Sequence, residues 1–173
     1  MKPIAPGDYS HYRTTPVAHQ PWNPQTKVVA ANLLIQLKNQ LAGLEPELLH
    51  MGSTALEIPG KNDVELYIYP PPGLWDETAQ RLTDMYGEPG YQEIEFIRFN
   101  AQVAGFEIEI IQLRGYMGRI NKAVYKYLSE NPALCVQYAN VKKNYSFSKR
   151  EYQKHKDLFF AEIVHEIPED YVP

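Results

Sequence analysis

Within residues 50–69, HMGSTALEIPGKNDVELYIY, four residues have the types and spacing that chemistry needs. Gly52 and Ser53 form a small bend, where backbone N–H groups can come close to an anion. Asp63 and Glu65 stand two apart in a run that reads as a strand, so both project from one face while Val64 and Leu66 turn toward a core. Adjacent carboxylates repel unless a positive charge lies between them. A hard divalent cation is the natural partner, because it takes oxygen ligands and often shares its shell with a substrate phosphate. A phosphate cradle beside an acidic pair is the equipment that nucleotidyl transfer requires. The plainer alternative is an exposed bend followed by a strand whose acids are merely solvated.

A further acidic strand bears on that choice. The run 105–113 contains FEIEIIQL, in which Phe106, Ile108 and Ile110 face one way and Glu107 and Glu109 the other. Paired in space with Asp63 and Glu65, one of the two would complete a three-carboxylate set. Register decides which, and Glu109 is the favoured candidate over Glu107.

The elements that must position these groups follow in order. Residues 1–23, rich in Pro, Tyr and His without periodicity, read as an arm lying on the surface. Val28, Val29, Leu33, Leu34, Leu37 and Leu41 predict a helix from Pro24, with Asn23 as its N-cap and Gly43 as its stop. Pro70-Pro71-Pro72-Gly73 breaks the chain after the acidic strand, and a second helix over 74–86 closes at Gly87. Strands over 93–100 and 105–113 follow, joined by a loose connection at 101–104. The rest is helical: 117–130 with Ile120, Val124 and Leu128 inward; 133–145 with Leu134, Tyr138 and Val141 inward; and 148–165, capped by Ser148 with Glu151 at the capping-box position and burying Tyr152, Leu158, Phe159 and Ile163. The tail EIPEDYVP reads as extended. The expected organisation is an arm (1–23), a core (24–115) and a helical C-terminal part (116–173) packed as one compact unit. Its fold class is α/β (α+β), a small mixed sheet flanked by helices.

Composition narrows the function. The net charge of -4 argues against bulk nucleic-acid binding while leaving room for a local basic patch. Lys and Arg gather in the helical half, and Arg119 and Lys142 are the candidates there to hold a triphosphate. The single cysteine, Cys135, excludes an internal disulfide and a CxxC zinc site. It reads as a small core filler in a reducing compartment. There is no apolar run of membrane-spanning length and no signal-peptide pattern, so a cytoplasmic protein without a membrane partner is expected. The phosphate-binding pattern GxxxxGK[ST] does not occur, so kinase chemistry of that type is not supported.

The order of elements and the words within them resemble the GrpB family, a branch of the DNA polymerase beta-like nucleotidyltransferase superfamily. The resemblance runs from about Pro21 onward. It is strongest at His50-Met51-Gly52-Ser53-Thr54-Ala55 and at Lys61 with the acidic strand after it, and it returns at Tyr127-Leu128, Pro132, Gln137-Tyr138-Ala139, Lys142, Tyr152 and Lys156. It implies transfer of a nucleoside monophosphate from a nucleoside triphosphate to an unidentified small-molecule or macromolecular acceptor, with Mg²⁺ or Mn²⁺ held by acidic residues on neighbouring strands. Carried over by position, Gly52 and Ser53 would contact the triphosphate, with Lys61 of the matching stretch as a further nucleotide-binding candidate beside Arg119 of the helical half. Asp63, Glu65 and Glu109 (or Glu107) would hold metal and carry catalysis. The chain departs from the family pattern where Lys61-Asn62-Asp63-Val64-Glu65 replaces Lys-Pro-x-x-Asp, and where Tyr125-Lys126 replaces Arg-Asp. A nucleotide- or phosphoester-binding protein of the same fold, without turnover, is the rival reading. A structural protein with solvated acids is the third.

Overall fold

The computed structural model describes residues 7–168 and Tyr171. The first six residues of the expected arm, and residues 169, 170, 172 and 173 of the expected extended tail, lie outside the described residues. The chain forms two compact units. A sheet unit comprises residues 23–55 and 62–119; a helical unit comprises 1–22, 56–61 and 120–173.

The sheet unit opens with helix α1 (Gln25–Gln40). Asn23 begins it as expected, its Oδ1 accepting the Gln25 N–H at 3.0 Å. Val29, Ala30, Leu33, Leu37 and, just beyond the helix, Leu41 are buried at three- and four-residue spacing. Val28 is exposed, because it lies one position off that stripe. Gly43 ends the segment at φ +86°, a conformation that costs glycine nothing.

Five strands follow: β1 (Glu47–Met51), β2 (Val64–Tyr69), β3 (Tyr91–Glu93), β4 (Phe96–Val103) and β5 (Phe106–Leu113). Helix α2 (Gly52–Ala55) lies between β1 and β2, and α3 (Trp75–Tyr86) between β2 and β3. The strands are ordered β1-β2-β5-β4-β3, and only the β2–β5 pairing is parallel, so the sheet is mixed. On one face Val64, Leu66 and Ile68 of β2 join Ile108 and Ile110 of β5 and Ile97 and Phe99 of β4 in a core with α1, Trp75 and Leu82. The period-two pattern of the strands therefore points as expected, with Glu65, Glu107 and Glu109 on the opposite face.

The connection between β4 and β5 differs from expectation. It is a tight two-residue turn, Ala104-Gly105, with φ +52° and +83°, rather than a loose loop at 101–104. Two successive positive φ values match the right-handed twist of a hairpin. Alanine adopts this conformation only at a cost, which is why the Ala-Gly pair carried no clear turn signal.

The helical unit contains α5 (Pro132–Asn144), α6 (Lys149–Glu166) and, from Ile120 onward, α4 (Gly115–Glu130). Its core is Ile58, Ala123, Leu128, Tyr138, Phe159, Ile163 and Ile167. The Tyr138 and Phe159 rings stack at 5.2 Å. Ser148 caps α6 as expected, its Oγ accepting the Glu151 N–H at 3.5 Å. Leu158, expected in the core, is exposed next to the buried Phe159. No helix among the described residues is long and apolar enough to cross a membrane.

Candidate active site

The bend at Gly52-Ser53 is the first turn of α2, entered directly from β1. Gly52 has φ +79°, and a Cβ there would lie 2.6 Å from the Glu65 Cδ and 2.7 and 2.8 Å from its two oxygens. Only glycine lets the backbone bend and the carboxylate occupy the same place. Ser53 and Thr54 are both buried beneath this bend.

A short relay fixes the approach to the acids. The Thr54 hydroxyl donates to the Asp63 carbonyl at 2.9 Å. Its single proton is thereby used, so the His50 Nε2–H is the donor in the 3.2 Å contact with Thr54 Oγ1. Burial, with a smaller contribution from Lys27, pulls the His50 pKa down from 6.5 to about 4. On the other flank Asn62, at φ +61°, accepts the Asn23 N–H on its Oδ1 at 3.0 Å. Asp63 is held between these anchors, immediately before β2, and is only 7% exposed. The roles of His50, Thr54 and Asn62 were not foreseen; the one available signal was their closeness to the Gly-Ser pair and the acids.

Glu65 stands in register with Met51 of β1 on one side and Glu109 of β5 on the other. Neighbouring strands are about 4.8 Å apart, so these two half-buried glutamates share one patch of the sheet face. Glu65 also accepts the Tyr67 hydroxyl on Oε2 at 2.8 Å. Glu109 lies opposite Asn100 of β4, with the Arg98 Nη1 3.8 Å from its Oε1. Glu107 lies opposite Gln102 and is exposed. Tyr69, nearby on the same face, donates to the Met51 Sδ at 3.5 Å, and burial drives its pKa upward.

The sheet unit therefore sets Glu65 beside Glu109 and against Gly52, while Asp63, expected on the strand with Glu65, lies just before it. Arg119 belongs to the same unit and is exposed on α4. Lys61 is assigned to the helical unit, as is Lys142. The Lys142 ammonium lies 5.4 Å from the Tyr138 ring, against the bare Cα of Gly60. Among the described residues no group of three His, Cys, Asp or Glu side chains is gathered closely enough to hold a metal ion.

The mixed five-stranded sheet flanked by helices defines the fold. The fold is that of the nucleotidyltransferases. The Cid1 poly(U) polymerase, solved with Mg and 3′-dATP bound, is similar at 16% identity and a TM-score of 0.50, over 71% of this chain and 41% of the polymerase. The same polymerase in complex with its short product ApU gives 14% identity and a TM-score of 0.50, over 71% and 40%. The Leishmania infantum polymerase beta ternary gap complex is similar at 14% identity and a TM-score of 0.45, over 72% and 53%. The match spans less than half the length of the Cid1 chain. No family model and no curated protein sequence matches the chain.

Proposed function

We propose that the protein is a metal-dependent nucleotidyltransferase that moves a nucleoside monophosphate from a nucleoside triphosphate to an acceptor. The observation that carries this reading is the pairing of Glu65 with Glu109 in register, beside a glycine whose missing side chain makes room for the Glu65 carboxylate. The residues fit a hard divalent cation in kind, since Asp63, Glu65 and Glu109 offer oxygen ligands only. Such an ion, when bound, neutralises charge on the transferring phosphoryl group and lowers the pKa of the attacking hydroxyl. The rest falls to the chain's own groups. Gly52 and Ser53 hold the triphosphate through backbone N–H groups and the serine hydroxyl. Arg119, on the same unit, adds charge to that grip. The His50–Thr54 relay holds Asp63 in place from the rear. The sequence resemblance to the GrpB family supports the same reading.

One observation favours a second reading, a nucleotide- or phosphoester-binding protein without turnover. Both paired glutamates already have partners within the sheet unit, the Tyr67 hydroxyl on Glu65 and the Arg98 guanidinium facing Glu109. Calorimetry with Mn²⁺ and a non-hydrolysable nucleoside triphosphate tests the shared part. Asp63→Asn and Glu65→Gln should each lose more than the roughly 10- to 100-fold in metal affinity that outer-sphere changes cost. Unchanged affinity in both variants overturns the site. Pyrophosphate release from Mg²⁺ and a nucleoside triphosphate, supplied with an acceptor pool, separates transfer from binding alone.

A further inference from the structure

The two units differ in charge. The sheet unit carries six Lys and Arg against twelve Asp and Glu, whereas the helical unit carries eleven against nine. Most of the positive charge in the helical unit is local. Residues 142–156 contain six Lys and Arg and a single acid, Glu151, interleaved with Tyr145, Phe147, Tyr152 and His155.

The structure draws this segment together with the described part of the arm. The Lys149 N–H donates to the Thr15 carbonyl at 2.8 Å, the Arg150 N–H to the Arg13 carbonyl at 3.0 Å, and the Val17 N–H to the Ser146 carbonyl at 2.7 Å. The Arg150 Nη2 donates to the Ser10 carbonyl at 2.9 Å. The first backbone donors of α6 are therefore used by the arm, and the next is taken by the Ser148 hydroxyl. An anion at this corner has to be held by side chains.

Those side chains are cationic and aromatic. The Lys149 ammonium lies 5.9 Å from the Tyr12 ring and 5.8 Å from the Tyr152 ring. Tyr145 stacks on His155 at 3.4 Å with the rings 5° apart, and Phe147 lies 6.5 Å from Tyr145. Phe147 is 61% exposed at the turn between α5 and α6, and Lys143, near the end of α5, and Lys154, in the second turn of α6, are exposed too. The nearby acids are engaged locally: Asp8 accepts from Ser10, Glu151 lies 3.6 Å from His155, and Asp157 accepts from Gln153.

We propose that this corner binds single-stranded nucleic acid, with Phe147 as a stacking platform for a base and Lys143, Lys149 and Lys154 tracking the phosphates. An exposed ring among cations fits that occupant, because bases in a single strand offer their faces while those in a duplex are stacked away. This proposal stands apart from the transfer proposed above. Binding itself does not depend on it.

The test is fluorescence anisotropy with the full chain, labelled 12-mers of oligo(U) and oligo(dT), and a 12-base-pair duplex, in EDTA without nucleotide. Binding of either single strand, stronger than that of the duplex and weakening with salt, is expected. The ratio of the two strands then reports which sugar is taken. Phe147→Ala should weaken binding on the order of ten-fold. Lys143→Gln and Lys154→Gln should each lower the salt slope by about 0.7. Glu65→Gln should bind the strands like the parent, so failure of the nucleotide site and failure of this surface are told apart. Duplex bound as tightly as single strand, or all three surface variants binding like the parent, overturns the proposal.

Discussion

Two glycines, one in each unit, let the backbone approach a charged side chain, and they do so for opposite charges. Gly52 in the sheet unit makes room for the Glu65 carboxylate, and Gly60 in the helical unit makes room for the Lys142 ammonium. The acid is half-exposed, whereas the lysine is 2% exposed beside Tyr138. A charge kept within reach of water can exchange its partners for a ligand; one taken out of water has to be matched permanently by its surroundings. The same backbone device thus serves the candidate site in one unit and packing in the other.

The largest expected effect breaks the helical side of this pairing. A Cβ on Gly60 would lie 2.2 Å from the Lys142 Nζ and 2.6 Å from its Cε, and the buried side chain has little space to yield. Gly60 has no positive φ, so the cost is steric alone. Gly60→Ala should destabilise the protein by about 3 kcal/mol, the upper end of overpacking penalties. Urea denaturation measures it, and a loss near zero would show that Lys142 relaxes freely.

Gly52→Ala comes next. Here the backbone stands at φ +79° and the obstacle is a glutamate that can swing away. The cost should be about 2 kcal/mol, about half of it conformational and the rest from displacing the glutamate. Gly43→Ala is the reference, at φ +86° with nothing nearby, and should cost about 1 kcal/mol. The two differ in function: displacing Glu65 should remove Mg²⁺-dependent nucleotide binding from Gly52→Ala, while Gly43→Ala binds like the parent in the same calorimetric titration.

This contrast also marks how far the sequence is legible. The alternation of FEIEIIQL and VELYIY foretold which face each acid takes, because a strand's two-residue period leaves no other choice. Gly52-Ser53 stood out for the same local reason. Nothing local could reveal that Glu65 pairs with Glu109 rather than Glu107, since parallel register between strands forty residues apart is decided by how the whole unit packs. The link from His50 through Thr54 to Asp63 was equally hidden, since it joins a side chain to a carbonyl across a loop. The tight Ala104-Gly105 turn was missed because alanine at positive φ contradicts local preference, and the pairing of β4 with β5 outweighs it.

His50 offers a smaller handle on the sheet unit. Its folded pKa of about 4 lies below the ordinary 6.5, so the fold prefers the neutral ring. The stability this contributes is complete above pH 6.5 and is lost as pH falls from there toward 4. It should amount to on the order of 1–2 kcal/mol, discounted for partial exposure. In His50→Gln, which keeps a donor toward Thr54, the stability difference from the parent should shrink across that window. A constant difference from pH 7 to pH 4 would show that the ring titrates alike in both states.

The smallest expected effect discriminates most finely between the two readings of the site. Arg98 and Glu109 are 3.8 Å apart and both partly exposed, so removing the guanidinium should change stability by no more than about 0.5 kcal/mol. Its effect on ligand binding has a definite sign. If Glu109 is the third metal-holding carboxylate, Arg98 competes with the cation, and Arg98→Gln should tighten Mn²⁺-nucleotide binding a few-fold. Glu107, exposed and opposite Gln102 rather than Arg98, supplies the counter-test: Glu107→Gln should leave affinity unchanged and Glu109→Gln should weaken it. Should Arg98→Gln instead weaken nucleotide binding, the guanidinium is itself gripping phosphate. The open sheet face would then hold its ligand by a cation, as a binding protein does, with Glu109 serving to orient that cation.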